Sequence, residues 1–227
     1  DSISDEHLDI TAITGQTAIT SLADTDKFLV SDASDSGNLK YVEKQYVSSP
    51  SVLTQVATLN ETSATGTLTF ASCFTSTYRN YFVVFDDIQV ATNGADINML
   101  FHYGNSNGND STNHNFQSIM RYPSTTDTAG GNNQNDIKVI QAQKNGTGRY
   151  VHGTMYVFQP LSTTDGVTAG TIFSNSNTNN GVGAQVTITS FNMPESGTNS
   201  AYTGFQFSAS SGNIEGRITV YGITNPA

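Results

Sequence analysis

The stretch Gly216-Arg217-Ile218-Thr219-Val220-Tyr221-Gly222-Ile223 alternates apolar and polar side chains near the end of the chain. Alternation at a period of two buries one side chain and exposes the next, as in a β-strand with one face on a core. Similar segments recur along the chain, separated by clusters of Asn, Gly, Ser and Thr. The predicted strands are 53–59, 67–71, 81–90, 97–103, 116–122, 137–141, 151–159, 171–174, 184–191, 202–209 and 213–223. This pattern predicts an all-β fold, an antiparallel β-sandwich of the jelly-roll-like kind.

Two of these segments indicate where strands lie within the sandwich. In Tyr81-Phe82-Val83-Val84-Phe85 both faces are apolar, which predicts a central strand covered on each side. The pairs Phe205/Phe207 and Ile218/Val220 each fill one face only, as in strands with one solvated side.

Composition excludes several classes of partner. The 227 residues carry a formal net charge of −10, and only 12% of them are charged. A phosphate backbone requires clustered Lys and Arg, so nucleic acid and anionic membrane surfaces are not expected as partners. No apolar run approaches the roughly 18 residues of a spanning helix, so no membrane insertion is expected. The single cysteine, Cys73, cannot form an intrachain disulfide, and its neighbours predict a buried strand residue.

The charge distribution divides the chain. Residues 1–47 contain 9 Asp and Glu against 3 Lys and Arg, which is more than half of the net charge in a fifth of the length. Lys27–Val30 and Leu39–Val42 are short apolar runs joined by turn-forming residues, which predicts a β-hairpin followed by a helical turn around 43–47. The residues before them predict an extended arm that needs a partner to become ordered. We therefore expect an arm and hairpin at 1–50 and a sandwich domain at 51–227.

One motif resembles a metal site. Asp32, Ser34, Ser36 and Glu43 fall at positions one, three, five and twelve of a calcium-loop pattern. The entering segment is strand-like rather than helical, however, and a type I′-like hairpin turn accounts for residues 35–38. We therefore predict no metal site and no cofactor.

Patterns typical of catalysis have ordinary explanations. Gly104-Asn105-Ser106-Asn107-Gly108 matches the nucleophile-elbow pattern, but an Asn/Gly loop follows it where the elbow requires a helix. The adjacent Asp86 and Asp87 are expected to point to opposite faces of a strand, so they cannot flank one glycosidic bond. His102 and His114 have no metal-ligand spacing, although they are placed to meet across a loop. The sequence predicts a protein that is not an enzyme.

Two segments resemble parts of a known family. Residues 21–32, followed by 38–42, resemble a short segment that recurs in tail-fibre and appendage proteins of tailed bacteriophages. Residues 78–88, with the terminal strand, are similar to the β-sandwich tip domain of such proteins, notably in phages of marine bacteria. The resemblance implies a structural protein of the virion, with an arm that docks to the particle and an outward-facing sandwich, generally as a homotrimer. The chain has no long fibrous shaft, so a capsid decoration or head-fibre protein is an alternative.

The resemblance sets the functional expectations. We expect a short tail fibre or fibre-tip module whose partners are itself, other virion proteins through the arm, and a host surface glycan or outer-membrane protein. A secreted glycan-degrading enzyme and an adhesin domain are further alternatives. The candidates for particle docking are Ile3, Leu8, Ile10, Ile13 and Ile19.

Three long polar segments, 104–115, 124–135 and 175–183, are predicted to be loops that contact the receptor. Asn, Ser and Gly supply adaptable hydrogen bonds on binding surfaces, although solvated spacers at the sandwich rim are the alternative interpretation. The candidates for receptor contact are Tyr103, Asn105, Asn107, Asn109, Asn113, Tyr122, Asn132, Asn133, Asn177, Asn179 and Asn180.

Overall fold

The computed structural model describes residues 21–47, 52–103, 108–109, 114–121, 125–143, 149–163, 168–177, 184–193 and 201–224. The chain divides into two compact units, residues 1–50 and 51–227. The docking candidates Ile3, Leu8, Ile10, Ile13 and Ile19 lie outside the described residues, as does Ser106. None of the helices that the described residues form is long and apolar enough to span a membrane.

The first unit contains the predicted hairpin. Strand β1 (Lys27–Asp32) pairs antiparallel with β2 (Asn38–Glu43), and a single helical turn, α1 (Lys44–Val47), follows. The connection between them has five residues, a 3-10 turn (Ala33–Asp35) followed by Ser36 and Gly37, whose φ values of 56° and 80° are the positive ones that the centre of a type I′-like turn requires. The hairpin and the helical turn predicted from the sequence are therefore confirmed.

The second unit is an antiparallel sandwich of two unequal sheets. The larger sheet has eight strands in the order β3-β15-β5-β11-β12-β13-β8-β9, and the smaller has the order β10-β6-β14-β4, with β7 paired to β6. The chain crosses repeatedly between the sheets, as in jelly rolls. The strands are β3 (Leu53–Thr65), β4 (Thr67–Phe70), β5 (Asn80–Val90), β6 (Ala95–Tyr103), β7 (Gly108–Asn109), β8 (His114–Arg121), β9 (Thr126–Gln134), β10 (Ile137–Gln143), β11 (Val151–Phe158), β12 (Ala169–Asn177), β13 (Ala184–Asn192), β14 (Tyr202–Ala209) and β15 (Ile214–Ile223).

All the strands predicted from the sequence are present, and the all-β sandwich is confirmed. The prediction of a loop across 124–135 is wrong, because 126–134 forms the edge strand β9. Residues 108–109 likewise form the short strand β7 within a segment predicted to be a loop. Strand β5 is central, as predicted, but it is not covered on both sides, because Phe82 and Val84 on its outer face are only partly buried.

The core lies between the inner faces of the two sheets. Phe205, Phe207, Ile218 and Val220 are fully buried, which confirms their predicted inward orientation. Phe207 of the small sheet meets Phe85 of the large sheet edge to face, with 5.3 Å between the ring centroids. Complete burial of such a side chain contributes about 1.5–3 kcal/mol relative to an exposed one.

Buried hydroxyl groups join strand β10 to the large sheet. The β10–β6 pairing is irregular after Lys138, so backbone carbonyls of β10 require partners elsewhere. The Thr189 hydroxyl donates to the Lys138 carbonyl at 2.8 Å, and the Ser174 hydroxyl donates to the Val139 carbonyl at 2.6 Å. Polar side chains therefore occupy inner positions of β12 and β13, where a simple sandwich carries apolar ones.

Cys73 is buried, as predicted, but it lies in the connection between β4 and β5 rather than in a strand. Burial raises the pKa of its thiol to about 12. Because the thiolate is the reactive form, the folded chain keeps this cysteine inert.

Candidate functional site

A β-bulge in strand β5 creates the most unusual cluster of side chains on the large sheet. Burial alternates along β5 until Asp86 and Asp87, which are consecutive and both partly exposed. Asp87 has a φ of 53°, a left-handed conformation that few residues other than Gly adopt in a strand. The register shifts at this level against both neighbours, between Glu215 and Arg217 on β15 and between Val151 and Gly153 on β11. The bulge turns the Asp87 side chain to the face that Asp86 already occupies.

Glycine is required at position 216, beside the bulge. Its φ is 143°, and a Cβ atom there would lie 2.7 Å from the Ile88 Cα and 3.0 Å from the Asp87 carbonyl oxygen. An L side chain would therefore be strained by the backbone conformation and would collide with β5. Gly216 allows β15 to approach closely enough to place Arg217 beside both aspartates.

Arg217 holds the two aspartates together. Its Nε donates to Asp86 Oδ1 at 3.2 Å, and its Nη2 donates to Asp87 Oδ2 at 2.5 Å. The prediction that Asp86 and Asp87 point to opposite faces is wrong, because the bulge interrupts the alternation on which it rested. The three side chains are each about half exposed, so the ion pairs orient the cluster but stabilise the fold by no more than about 1 kcal/mol.

Strand β11 and the residue before it add two aromatic rings. The backbone N–H of Asp87 donates to His152 Nδ1 at 3.3 Å, so the imidazole occupies the gap that the bulge opens. The Tyr150 ring lies next to His152, with 6.3 Å between the ring centroids. Tyr150 is partly exposed and presents a flat apolar surface beside the carboxylates.

Asp87, Arg217 and Tyr150 line an open cleft of about 480 Å³ on the large sheet. Its volume lies within the roughly 300–1,000 Å³ range of small-ligand sites. The lining residues are Asn60, Glu61, Thr62, Asp87, Tyr150, Glu215, Gly216 and Arg217.

The cleft combines three kinds of recognition chemistry. Glu61, Asp87 and Glu215 supply acceptor oxygens, Arg217 supplies donors in a planar array, and Tyr150 supplies a stacking surface. Three carboxylates against one guanidinium give the cleft an acidic balance, which disfavours phosphate and other anions. The arrangement suits a ligand with many hydroxyl groups and an apolar ring face.

The calcium-like residues of the hairpin already have partners. Asp32 Oδ1 accepts hydrogen bonds from the Ser34 backbone and hydroxyl at 2.9 and 2.6 Å, and its Oδ2 pairs with Lys40 at 2.9 Å. The Ser34 hydroxyl and then the Lys40 ammonium lower the pKa of Asp32. Glu43 is paired with Lys27 at the other end of the hairpin, far from Asp32 along the strands. Across the described residues, no group of three or more His, Cys, Asp and Glu is arranged to hold a metal ion.

The two central histidines do not form a joint site. His102 faces away from the sandwich core, where its Nε2 lies 3.1 Å from Gln206 Oε1. His114 lies on the other side of β6, stacked on the Phe101 ring. Burial lowers the pKa of His102, and the hydrogen bond with Gln206 partly opposes that shift.

The receptor-contact candidates do not form one surface among the described residues. Tyr103 is 42% exposed at the end of β6 in the small sheet. Asn132 and Asn133 lie in β9 near its pairing with His114, whereas Asn177 lies at the opposite end of the large sheet beside Ala184. Asn109 lies in β7, paired with His102. The remaining candidates, Asn105, Asn107, Asn113, Tyr122, Asn179 and Asn180, lie outside the described residues.

Sequence reasoning missed the cleft because its residues come from β3, β5, β15 and the residue before β11, which become neighbours only through the sandwich topology. One signal was available, since an isolated Gly inside a strand pattern indicates a bulge, and Gly216 is such a residue.

The fold and the cleft define the chain as an antiparallel β-sandwich protein with an acidic, open cleft on its larger sheet. A scan against protein-family models and searches of curated proteins and of solved structures each found no match to the chain.

Proposed function

We propose that the chain is a non-enzymatic structural protein of a tailed-phage virion, a short tail fibre or fibre-tip module that attaches to saccharide on the host surface. The observation that carries the attachment role is the cleft at the β5 bulge, where Arg217, Asp87, Glu215 and Tyr150 converge. The virion context is supported by the resemblance of residues 21–32, 38–42 and 78–88 to phage appendage proteins.

Saccharide is the ligand class that best fits the cleft. Sugar hydroxyls both donate and accept, so they pair with carboxylate oxygens and with the guanidinium, and the C–H face of a sugar ring stacks on tyrosine. The acidic balance of the cleft favours neutral or amino sugars over phosphorylated or carboxylated ones. The proposed contact surface is thus the bulge cleft rather than the three polar segments.

The attachment role is tested with an array of immobilised bacterial polysaccharides. We expect the wild-type chain to bind a subset rich in neutral or amino sugars, and we expect Tyr150→Ala and Glu215→Gln each to weaken binding at least tenfold. Tyr46→Ala is the matched control, since Tyr46 is 74% exposed in the hairpin unit. Equal loss of binding in Tyr46→Ala, or no loss in the two cleft variants, would contradict the proposal.

The position on the particle separates the tail fibre from the decoration alternative. We expect antibody against the sandwich to label tail structures of intact virions in electron micrographs. Label spread over the capsid would instead support a decoration or head-fibre protein, and it would leave the cleft without a role in attachment.

A glycan-degrading enzyme is the second candidate, because Glu61, Asp87 and Glu215 line the same cleft. Glycoside hydrolysis requires two carboxyl groups on either side of the scissile bond. We expect incubation with the bound polysaccharide to release no reducing ends. Release that Asp87→Asn abolishes would establish the enzyme and overturn the non-enzymatic proposal.

A further inference from the structure

The outer face of the large sheet carries an exposed apolar patch. Phe173, Ile188 and Ile119 lie side by side on three adjacent strands and are 46%, 51% and 54% exposed. The neighbouring row contains Tyr156, which is 43% exposed, beside the partly buried Phe82. We call these five residues the outer patch. Contiguous apolar surface of this kind on a folded protein marks a contact with another molecule.

The polarity of the sheet is inverted beneath the patch. On the same three strands, Ser174, Thr189 and Ser118 point inward and are fully buried. A sheet with one face in water carries its polar side chains on that face. Here the hydroxyls are held inside by hydrogen bonds, including a 2.7 Å bond between Ser118 and Thr189, while Phe and Ile side chains point outward. Ile172, Phe191 and Met120 lie inward on the same strands and are buried, so the inversion does not extend along the whole of each strand.

The area and composition of the face suit a protein interface. A row is the set of residues that pair side by side across neighbouring strands. Three successive rows across β3 to β8 hold no Asp, Glu, Lys or Arg at their outward positions. Seven strands about 4.8 Å apart and three rows about 6.8 Å apart cover roughly 700 Å², close to the ~800 Å² that each partner buries in a stable complex. Depletion of charge together with aromatic enrichment is the compositional signature of an interface centre.

Charges of opposite sign flank the patch on the next row. Asp86 lies on β5, two strands to one side of β12, where Arg217 pairs with it and with Asp87, so that side carries a net negative charge. Arg121 lies on β8, two strands to the other side. A two-fold axis parallel to the strands at β12 places Phe173 against its own copy. The same axis places each Arg121 near the partner copy's Asp86. This reciprocal arrangement is what an isologous interface requires.

We propose that the outer patch is an interface with a second copy of this chain, packed face to face about a two-fold axis near Phe173. Two copies of a chain of net charge −10 repel each other, and the uncharged rows are a part of the surface where they approach with less repulsion. Two sheets packed in this way lie about 10 Å apart with interdigitated side chains. The inference concerns assembly and does not depend on the saccharide cleft.

Native mass and its response to charge in the patch test the interface. At micromolar concentration we expect the full chain to sediment at about 48 kDa, twice its 24.2 kDa. Ile188→Asp and Ile119→Asp, both at exposed positions, raise the dimer dissociation constant at least tenfold and keep the wild-type circular dichroism. Leu39→Asp, at a 64% exposed position of the hairpin, is the control and leaves the mass unchanged. A monomer, or a trimer that the patch variants leave intact, overturns the proposal.

The position of the axis has its own test. With Phe173→Cys, a short bismaleimide cross-linker is expected to give a covalent dimer, because Cys73 is buried and unreactive. Leu39→Cys under the same conditions is expected to give none. Arg121→Glu weakens the dimer at least threefold, because it places a negative charge against the partner copy's Asp86. Absence of the covalent dimer, or a dimer that Arg121→Glu leaves unchanged, contradicts the two-fold arrangement.

Discussion

At the scale of single residues, Gly216 determines the geometry of the bulge cleft. Its positive φ and its contact with Ile88 leave no space for a side chain, and without that contact Arg217 does not reach both aspartates. We expect Gly216→Ala to lower the free energy of unfolding by about 1–3 kcal/mol, through backbone strain and collision with β5. Chemical denaturation measures this change.

Gly66 is the control for that substitution. It connects β3 to β4, and a Cβ atom there meets nothing within 4 Å. Gly66→Ala is expected to leave the free energy of unfolding unchanged or to raise it slightly, through a less flexible unfolded chain. Equal destabilisation by both substitutions would show that the close approach at Gly216 is not the cause.

His102 makes stability depend on pH. Burial holds its pKa below the value of about 6.5 that it has in the unfolded chain. Between those two values the unfolded chain binds more protons than the folded one, so stability decreases as the pH is lowered through and below about 6.5. We expect His102→Gln to flatten the dependence of the melting temperature on pH in this range. If the melting temperature depended on pH equally in the wild type and the variant, titratable groups other than His102 would be the cause.

At the scale of secondary-structure elements, sequence periodicity is sufficient to predict a strand that buries one of its faces. The strands that contribute Phe205 and Phe207 or Ile218 and Val220 were predictable for this reason. Strand β9 was not, because Thr126–Gln134 contains Ala129 as its only apolar residue and is held at the sheet edge by backbone pairing with β8. Hydrophobic periodicity does not predict a strand that is held in place by hydrogen bonds rather than by burial of side chains.

The bulge in β5 shows a second limit of sequence reasoning. Nothing in the pair Asp86 and Asp87 indicates that alternation fails there, because the cause is the approach of β15, distant in sequence. The cleft depends on this interruption of the inward and outward alternation in β5. The fold was therefore predictable from local pattern, whereas the candidate site required knowledge of which strands are neighbours.

The hydroxyls that support β10 provide a test at the same scale. Thr189→Val removes the donor to the Lys138 carbonyl but keeps the side-chain shape, and it leaves a buried acceptor without that partner. We expect a loss of about 1–3 kcal/mol in the free energy of unfolding. Thr171→Val, at an exposed position of β12, is the matched control and is expected to change it by less than about 0.5 kcal/mol. Similar values for the two variants would contradict the role of the hydroxyl.

At the scale of the whole molecule, the large sheet carries two different surfaces on its outer face. The outer patch is apolar and uncharged, and the cleft beside Arg217 is acidic and polar. The outer patch and the cleft adjoin each other, because the proposed two-fold axis brings the partner copy's Arg121 to Asp86, which pairs with Arg217 beside the cleft.

Amide chemical-shift mapping shows whether the bulge cleft binds saccharide. Oligosaccharide fragments of bacterial surface polysaccharides are titrated into isotope-labelled protein. We expect saturable shifts centred on the amides of Glu61, Asp87, Gly216 and Arg217, which Tyr150→Ala abolishes. Shifts centred instead on Tyr103 or on Asn132, or no shifts with any fragment, would contradict this expectation.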